Sequence, residues 1–357
     1  MADLPRPRLA HRKVDSRSIG FLLAGASNVA ARWMVDAIWQ QPPAVGSADV
    51  AGAYIVGIYS HNGHLARRFA QSFGILHAGE DLEDLLQRRE VQCVYIGSHP
   101  RHHGETVRAA LQAGKHVLCE PPLALELDEA EELARMAEHR SLVLGLNYSW
   151  RATAIMRRLR DLLADDAIGE LLGARIQNTA FLPLEQHTWR LQKPGGGVLW
   201  DRTLHDLDLL RFLTGMATGN VYAFNTQTLL GSGVEEDVIA SVHLKGGLVV
   251  QLHDSFVLPH VPVTVELYGA TGTLTARRCH PASKEPELLL TRGDTVRQLD
   301  LEEIQPHRAA VGRFIAAVRG NGQPLATAAD DRRNLAAVIA MQESLRRRAV
   351  MPVTPAQ

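Results

Sequence analysis

Cysteine is scarce in this chain: Cys93, Cys119 and Cys279 are the three in 357 residues, odd in number and far apart. A disulfide framework or a zinc centre needs paired, closely spaced ligands, so the sequence predicts reduced thiols and no metal site. Long apolar runs are missing as well. No stretch reaches the 18 or more consecutive apolar residues of a membrane span. A basic excess is also lacking, with 38 Lys and Arg against 39 Asp and Glu and a net charge of −1. Nucleic-acid binding rests on many phosphate-neutralising cations, so no nucleic-acid partner is expected. Residues 1–17 carry Arg6, Arg8, Arg12, Lys13 and Arg17, but no apolar segment of signal-peptide form follows. A flexible tail over 1–17 and a cytoplasmic protein are the expectations.

What is present is ordinary globular material, 46% hydrophobic and 22% charged, enough for two domains at this length. From Ile19 onward, short apolar runs alternate with stretches of helical period. The runs are Ile19–Ala24, Ala53–Tyr59, Cys93–Gly97, His116–Cys119 and Leu142–Leu146. Continuous apolar strands separated by amphipathic helices predict parallel β-α units and a doubly wound sheet over residues 18–148. Beyond residue 150 the pattern changes. Strands follow one another with period-two alternation, as in Val238 to Leu244, and Lys245-Gly246-Gly247 marks a hairpin. Residues 149–357 are therefore expected as a separate α+β domain, with a large, mostly antiparallel open sheet and the closing helices.

Four segments carry chemistry. Gly25-Ala26-Ser27-Asn28-Val29-Ala30 stands at the first strand-to-helix turn and fits G-x-G-x-x-A with Ser in the second place. Gly25 allows the tight turn, Ser27 keeps the backbone near a pyrophosphate, and the N–H groups of Asn28 and Val29 open the helix toward it. The second strand ends in Ser60-His61-Asn62, without the carboxylate that holds a ribose 2′-OH. Ser60 and His61 thus favour NADP over NAD. Ser98, His99 and His103, and likewise Glu120 and Pro121, stand at the carboxyl ends of strands, where open α/β sheets bind ligands. Three histidines within five residues admit a metal, but a polar loop is the reading adopted. Finally, Asp201, His205 and Asp208 fall at i, i+4 and i+7, one helix face after a glycine loop. A carboxylate beside a histidine orients the ring and raises its pKa, which suits proton transfer. A helix-capping Asp201 with a solvated His205 is the competing reading.

In this order the motifs resemble those of the Gfo/Idh/MocA family over residues 18–345. The family's A-G-K-H-V-L-C-E-K-P is similar to Ala113 through Pro122, and its G-G-G-x-L-x-D-x-G-x-H-x-x-D to Gly195 through Asp208. Tyr268 through Leu274 resembles Y-G-T-x-G-x-L. The resemblance implies an NAD(P)-binding Rossmann domain and oxidoreduction of a hydroxyl or carbonyl on a sugar, cyclitol or dihydrodiol. It also implies His205 as proton acid/base oriented by Asp201, and Asn147 and Trp189 beside the substrate. A homodimer or homotetramer through the C-terminal sheet is implied too. One departure stands out: the family's lysine in E-K-P is Pro121 here. That leaves open a dinucleotide-binding homologue without redox turnover.

Overall fold

A computed structural model describes residues 13–43, 50–225, 228–283 and 285–354. The chain divides into two compact units, Met1–Tyr148 with His307–Ala329, and Ser149–Pro306 with Asp330–Gln357. Of the expected tail, residues 1–12 lie outside the described residues; Lys13 bridges Val50, and Arg17 pairs with Asp15.

The first unit is built on β1 (Ile19–Ala24), β2 (Ala53–Tyr59), β3 (His77–Gly79), β4 (Cys93–Ile96), β5 (His116–Cys119) and β6 (Leu144–Leu146). They run parallel in the order β6-β5-β4-β1-β2-β3, with Ala326–Thr327 antiparallel on the β6 edge. Phe21, Leu22 and Leu23 of β1 are all fully buried, as a strand covered on both faces requires. The connecting helices are α1 (Val35–Trp39), α2 (Gly63–Phe73), α3 (Leu82–Leu86), α4 (His103–Gln112) and α5 (Leu127–His139). A π turn, Ala30–Met34, leads into α1. Asn62 caps α2 by accepting from the His64 and Leu65 amides, and Gly74 ends it at φ 66°.

The second unit carries α6 (Ala154–Ala164), β7 (Leu171–Thr179), α7 (Leu204–Thr214) and β8 (Thr218–Asn225). Then come β9 (Asp237–Leu244), β10 (Val249–Ser255), β11 (Thr264–Gly269), β12 (Thr273–Arg277), β13 (Glu287–Arg292) and β14 (Thr295–Leu299). The sheet order is β14-β13-β12-β11-β7-β10-β9-β8, closed by Met351–Pro352. Every pairing is antiparallel except β7 with β10. Alternation sets its two faces: Val238, Ala240 and Val242 are buried, whereas Phe224, Ile239, Val249 and Tyr268 are exposed.

One expectation is corrected. The helix α8 (Pro306–Val318) does not stay with the closing helices, because residues 307–329 belong to the first unit. Its Val311, Phe314 and Ile315 enter the first unit's core, with the Phe314 ring 6.1 Å from that of Phe21. Only α9 (Ala328–Arg347) closes the second unit, from Asp330 onward.

Candidate functional site

In the first unit the turn after β1 is set by Gly25, at φ 119°. A Cβ there would stand 2.6 Å from the Ser98 amide nitrogen and 2.8 Å from the Gly97 carbonyl carbon. Only glycine lets the two loops approach this closely. Ser27 accepts from the Ala30 amide at 3.2 Å and so caps the helical run that Asn28 and Val29 open. The Ser98 hydroxyl is buried, with no hydrogen-bond partner among the described residues. A glycine cradle at a helix start beside an orphaned hydroxyl fits a pyrophosphate-bearing dinucleotide.

Past β2, Ser60 accepts from the Asn62 amide, and His61 Nδ1 lies 2.9 Å from the Tyr59 hydroxyl. Past β4, His99 accepts from the Arg101 amide, and its ring is held near pKa 4, by desolvation first and by Arg101 next. His103 is buried and directs its ring nitrogens at the carbonyls of Pro122, 2.7 Å away, and Ser98, 3.1 Å away. It ties the loops after β4 and β5 together. The structure adds a group the motifs did not foretell: His61, His102 and Glu105 converge, with ligand atoms all within 4.8 Å of one another.

At the end of β5 the Glu120 carboxyl is gripped on one oxygen. Tyr95 donates to Oε1 at 2.7 Å and Asn147 Nδ2 at 2.6 Å. Burial pushes Glu120 up to about pKa 7, although Asn147 and Tyr95 both pull against it. Asn147 Oδ1 is buried without a partner among the described residues. Pro121 is buried and supplies neither donor nor charge. Tyr95 escaped the sequence reading. The available signal was a phenol inside the apolar run Cys93–Ile96, where a buried hydroxyl must find an acceptor.

In the second unit the expected Asp-His-Asp stripe is split. Residues Leu199–Thr203 form a π turn before α7, so Asp201 and His205 are not one regular α turn apart. Arg190 Nε holds both Asp201 carboxylate oxygens, at 2.9 and 3.0 Å, and its guanidinium lies over the Trp189 ring at 4.7 Å. Asp208 is engaged with other partners. It is buried and accepts from Arg151 at 2.5 and 2.7 Å, from Asn334 at 2.9 Å and from Arg211 at 3.3 Å. The expected rise in the His205 pKa is also overturned. Burial pushes it down and outweighs Asp201 and Asp208, which act in the opposite direction.

The stripe has further neighbours. Arg202 donates to the carbonyls of Asn178 and Ser255, where β7 and β10 end side by side, and so anchors the turn to the sheet. Asp206 and Asp254 are both buried, held by Asn178 at 3.1 Å and Thr203 at 2.5 Å. Burial raises both carboxyls above the ordinary aspartate value. His280, edge-on to Trp150 at 5.6 Å, joins this side from the turn after β12.

Comparison with known proteins follows these two halves. A profile described as an oxidoreductase family with NAD-binding Rossmann fold matches residues 20–148, and one described as a GFO/IDH/MocA C-terminal domain matches residues 156–275. The chain is 32% identical to a 1,5-anhydro-D-fructose reductase of Ensifer adhaerens, over 89% of this chain and 94% of that protein. It is 29% identical to a dTDP-3,4-didehydro-2,6-dideoxy-alpha-D-glucose 3-reductase of Streptomyces violaceoruber, over 86% and 87% of the two chains. Among solved structures, an aldose-aldose oxidoreductase from Caulobacter crescentus, complexed with glycerol, aligns at TM-score 0.84. That alignment covers 94% of this chain and 100% of the other at 17% identity, which shows the fold alone. A variant of a 3-ketoreductase from Actinomadura kijaniata, solved with TDP-benzene and NADP, aligns at TM-score 0.82 and 25% identity over 92% and 98% of the two chains. No described helix is long and apolar enough to cross a membrane.

Proposed function

The chain belongs to the GFO/IDH/MocA oxidoreductase family, and on that premise we propose that it interconverts a hydroxyl and a carbonyl on a sugar-type substrate, with His205 as the proton acid/base. The observation that carries the cofactor half is the Gly25 cradle, which admits backbone but no side chain. Gly25, Ser27, Asn28 and Val29 would hold the pyrophosphate, and Ser60 with His61 the adenosine ribose. A nicotinamide dinucleotide supplies the hydride carrier. NADP is the favoured form, for lack of a carboxylate at the end of β2.

In the direction of oxidation the substrate carbon loses a hydride and its hydroxyl loses a proton. His205 takes that proton at a ring nitrogen. Burial keeps the ring neutral before the reaction, which is the state a base requires. Asp201, pinned by Arg190, supplies the fixed negative charge that stabilises the ring once it is protonated. In reduction the same ring returns the proton to the carbonyl oxygen. The Trp189 face suits the apolar side of a sugar ring. The relatives' names point to a ketone on a pyranose ring, so 1,5-anhydro-D-fructose is the first substrate to try.

A second reading is favoured by Pro121: a dinucleotide-loaded homologue without turnover. One assay separates the two. Purified protein is mixed with reduced NAD or NADP and a panel of sugar ketones, and loss of nicotinamide absorbance is followed. Turnover supports the first reading, and saturable binding without turnover across the panel supports the second. Gly25→Val should abolish dinucleotide binding in both; unchanged affinity would overturn the cofactor assignment. The exposed Phe224, Ile239, Val249 and Tyr268 on the open sheet face support a homodimer or homotetramer through that face. A monomer mass by light scattering would overturn it.

A further inference from the structure

His61 and His102 come from loops on opposite sides of β1. The strand order β4-β1-β2 puts the end of β2 on one side of the glycine turn and the end of β4 on the other. Across that gap the two imidazole rings meet, with centroids 4.2 Å apart. Glu105, in the first turn of α4, lies 2.8 Å from His102 Nδ1 and 3.5 Å from His61 Nε2. Arg101 Nε donates to His102 Nε2 at 3.0 Å. Such a cluster takes either a divalent cation or an anion, and the ring chemistry decides between them.

Arginine is only a donor, so His102 Nε2 must be an acceptor and the neutral ring carries its proton on Nδ1, toward Glu105. A ligating histidine does the reverse, donating its second ring N–H outward and offering the facing nitrogen to the metal. A guanidinium beside the ring opposes a second cation still further. The arrangement suits an anion, and the end of the second strand of a doubly wound sheet is where the adenosine ribose lies.

We propose that His61 and His102, with Arg101 as a fixed cation and Glu105 as an opposing charge, read the presence or absence of a phosphate on the adenosine ribose, so that the choice between NADP and NAD depends on pH. The proposal rests on the dinucleotide reading given above. With His61 neutral, Arg101 and Glu105 cancel, and the Glu105 oxygen not turned to His102 can accept from an unphosphorylated 2′-OH. With His61 protonated the cluster gains a positive charge and attracts a phosphate.

Burial lowers the His61 pKa, as do His102 and Arg101, while Glu105 works in the opposite direction. His99, its ring 6.1 Å from His102, is held at about 4 and stays neutral. Tyr59, bonded to His61, is raised by burial and by the charges of Glu105 and Asp81, and stays protonated. His103 is engaged with two carbonyls. That leaves His61 to move. A bound phosphate raises the His61 pKa, so NADP affinity falls as pH rises through the range in which His61 loses its proton, while NAD affinity changes little. The phosphate's own ionisation, near pH 6, acts in the opposite sense and makes the direction diagnostic.

The test is titration of the full chain with NADP and with NAD between pH 5.5 and 8.5, by calorimetry in chelator-treated buffer. The expected result is an NADP-to-NAD affinity ratio that falls about tenfold across that range, the effect of one unit of pKa shift. His61→Gln combined with His102→Gln should flatten the ratio or reverse its slope, with NAD binding retained. Glu105→Gln should raise NADP affinity at pH 8.5. A ratio that is flat or rises with pH in the wild type overturns this inference alone and leaves the dinucleotide reading standing. Failure of both dinucleotides to bind overturns the cofactor reading and this one with it. Micromolar binding of Zn²⁺ that is lost in His61→Gln would assign the cluster to a metal and overturn the anion reading.

Discussion

Arg190 Nε lies 2.9 and 3.0 Å from the two carboxylate oxygens of Asp201, so the acid beside His205 is fixed by a partner eleven residues earlier in the chain. The pair is partly buried and therefore poorly screened. In the mechanism proposed above, an acid held this way stabilises the protonated His205 ring.

The kinetic expectation follows directly. His205→Ala should lower kcat by roughly 10²–10⁴, the range of a positioned acid/base group, with dinucleotide affinity unchanged. Asp201→Asn should lose less, because it removes charge stabilisation and not the proton acceptor. Arg190→Ala should resemble Asp201→Asn and add little to it in the double variant. Turnover that is insensitive to His205→Ala would refute the mechanism while leaving family membership intact.

Asp208 should behave in the opposite way. Its carboxylate compensates the buried Arg151, so Asp208→Asn leaves a guanidinium short of its counter-charge. The loss should be a part of the about 3–5 kcal/mol that breaking a buried pair from one side costs, because Asp330 still faces Arg151 at 3.3 Å. A thermal scan showing that loss, while His205→Ala melts near the wild type, would separate the structural aspartate from the chemical histidine. An Asp208→Asn protein of full stability and low kcat would return Asp208 to the site.

Glu120 gives the first unit its own pH dependence. The folded carboxyl keeps its proton up to about pH 7, whereas the unfolded chain releases it near the ordinary value of 4.5. Between those limits the native state binds more protons, so stability falls as pH rises through the window. Glu120→Gln keeps Oε1 for Tyr95 and Asn147 and removes the ionisation. The variant should match the wild type near pH 4.5 and melt higher at pH 8. Equal melting temperatures at pH 8 would show that the carboxyl is not desolvated.

The strands of the first unit were legible because burial on both faces makes them plain apolar runs; Ile19–Ala24, Ala53–Tyr59 and His116–Cys119 carry the expected limits. The short β3, with no such run, and the exposed β14 left no mark. Periodicity also could not say which core α8 would join, because an amphipathic face does not name its partner. The site was half legible. Gly25 announces itself, since only its φ permits the turn. The split of the Asp201-His205-Asp208 stripe did not, because the π turn and the distant Arg151 and Arg190 are tertiary facts. His102 was read as part of a polar loop and Glu105 fell in the helical stretch after it, with no hint that β1 would bring His61 against them.

Pro121→Lys probes the place where the sequence departs most from its relatives. The new ammonium would be rooted one residue from Glu120, in a buried stretch at the end of β5. An opposite charge within a few ångströms lowers a carboxyl pKa by about 1–3 units. Glu120 should therefore titrate well below 7, which a ¹³C-carboxyl resonance, assigned by its disappearance in Glu120→Gln, can follow directly. If the protein turns over a sugar ketone, any limb of its pH profile that belongs to Glu120 should move to acid by the same amount. If it only binds, the resonance should still move while no turnover appears. A Glu120 resonance that titrates near 7 in Pro121→Lys would mean that a lysine at this position points away from the carboxyl and does not share its site.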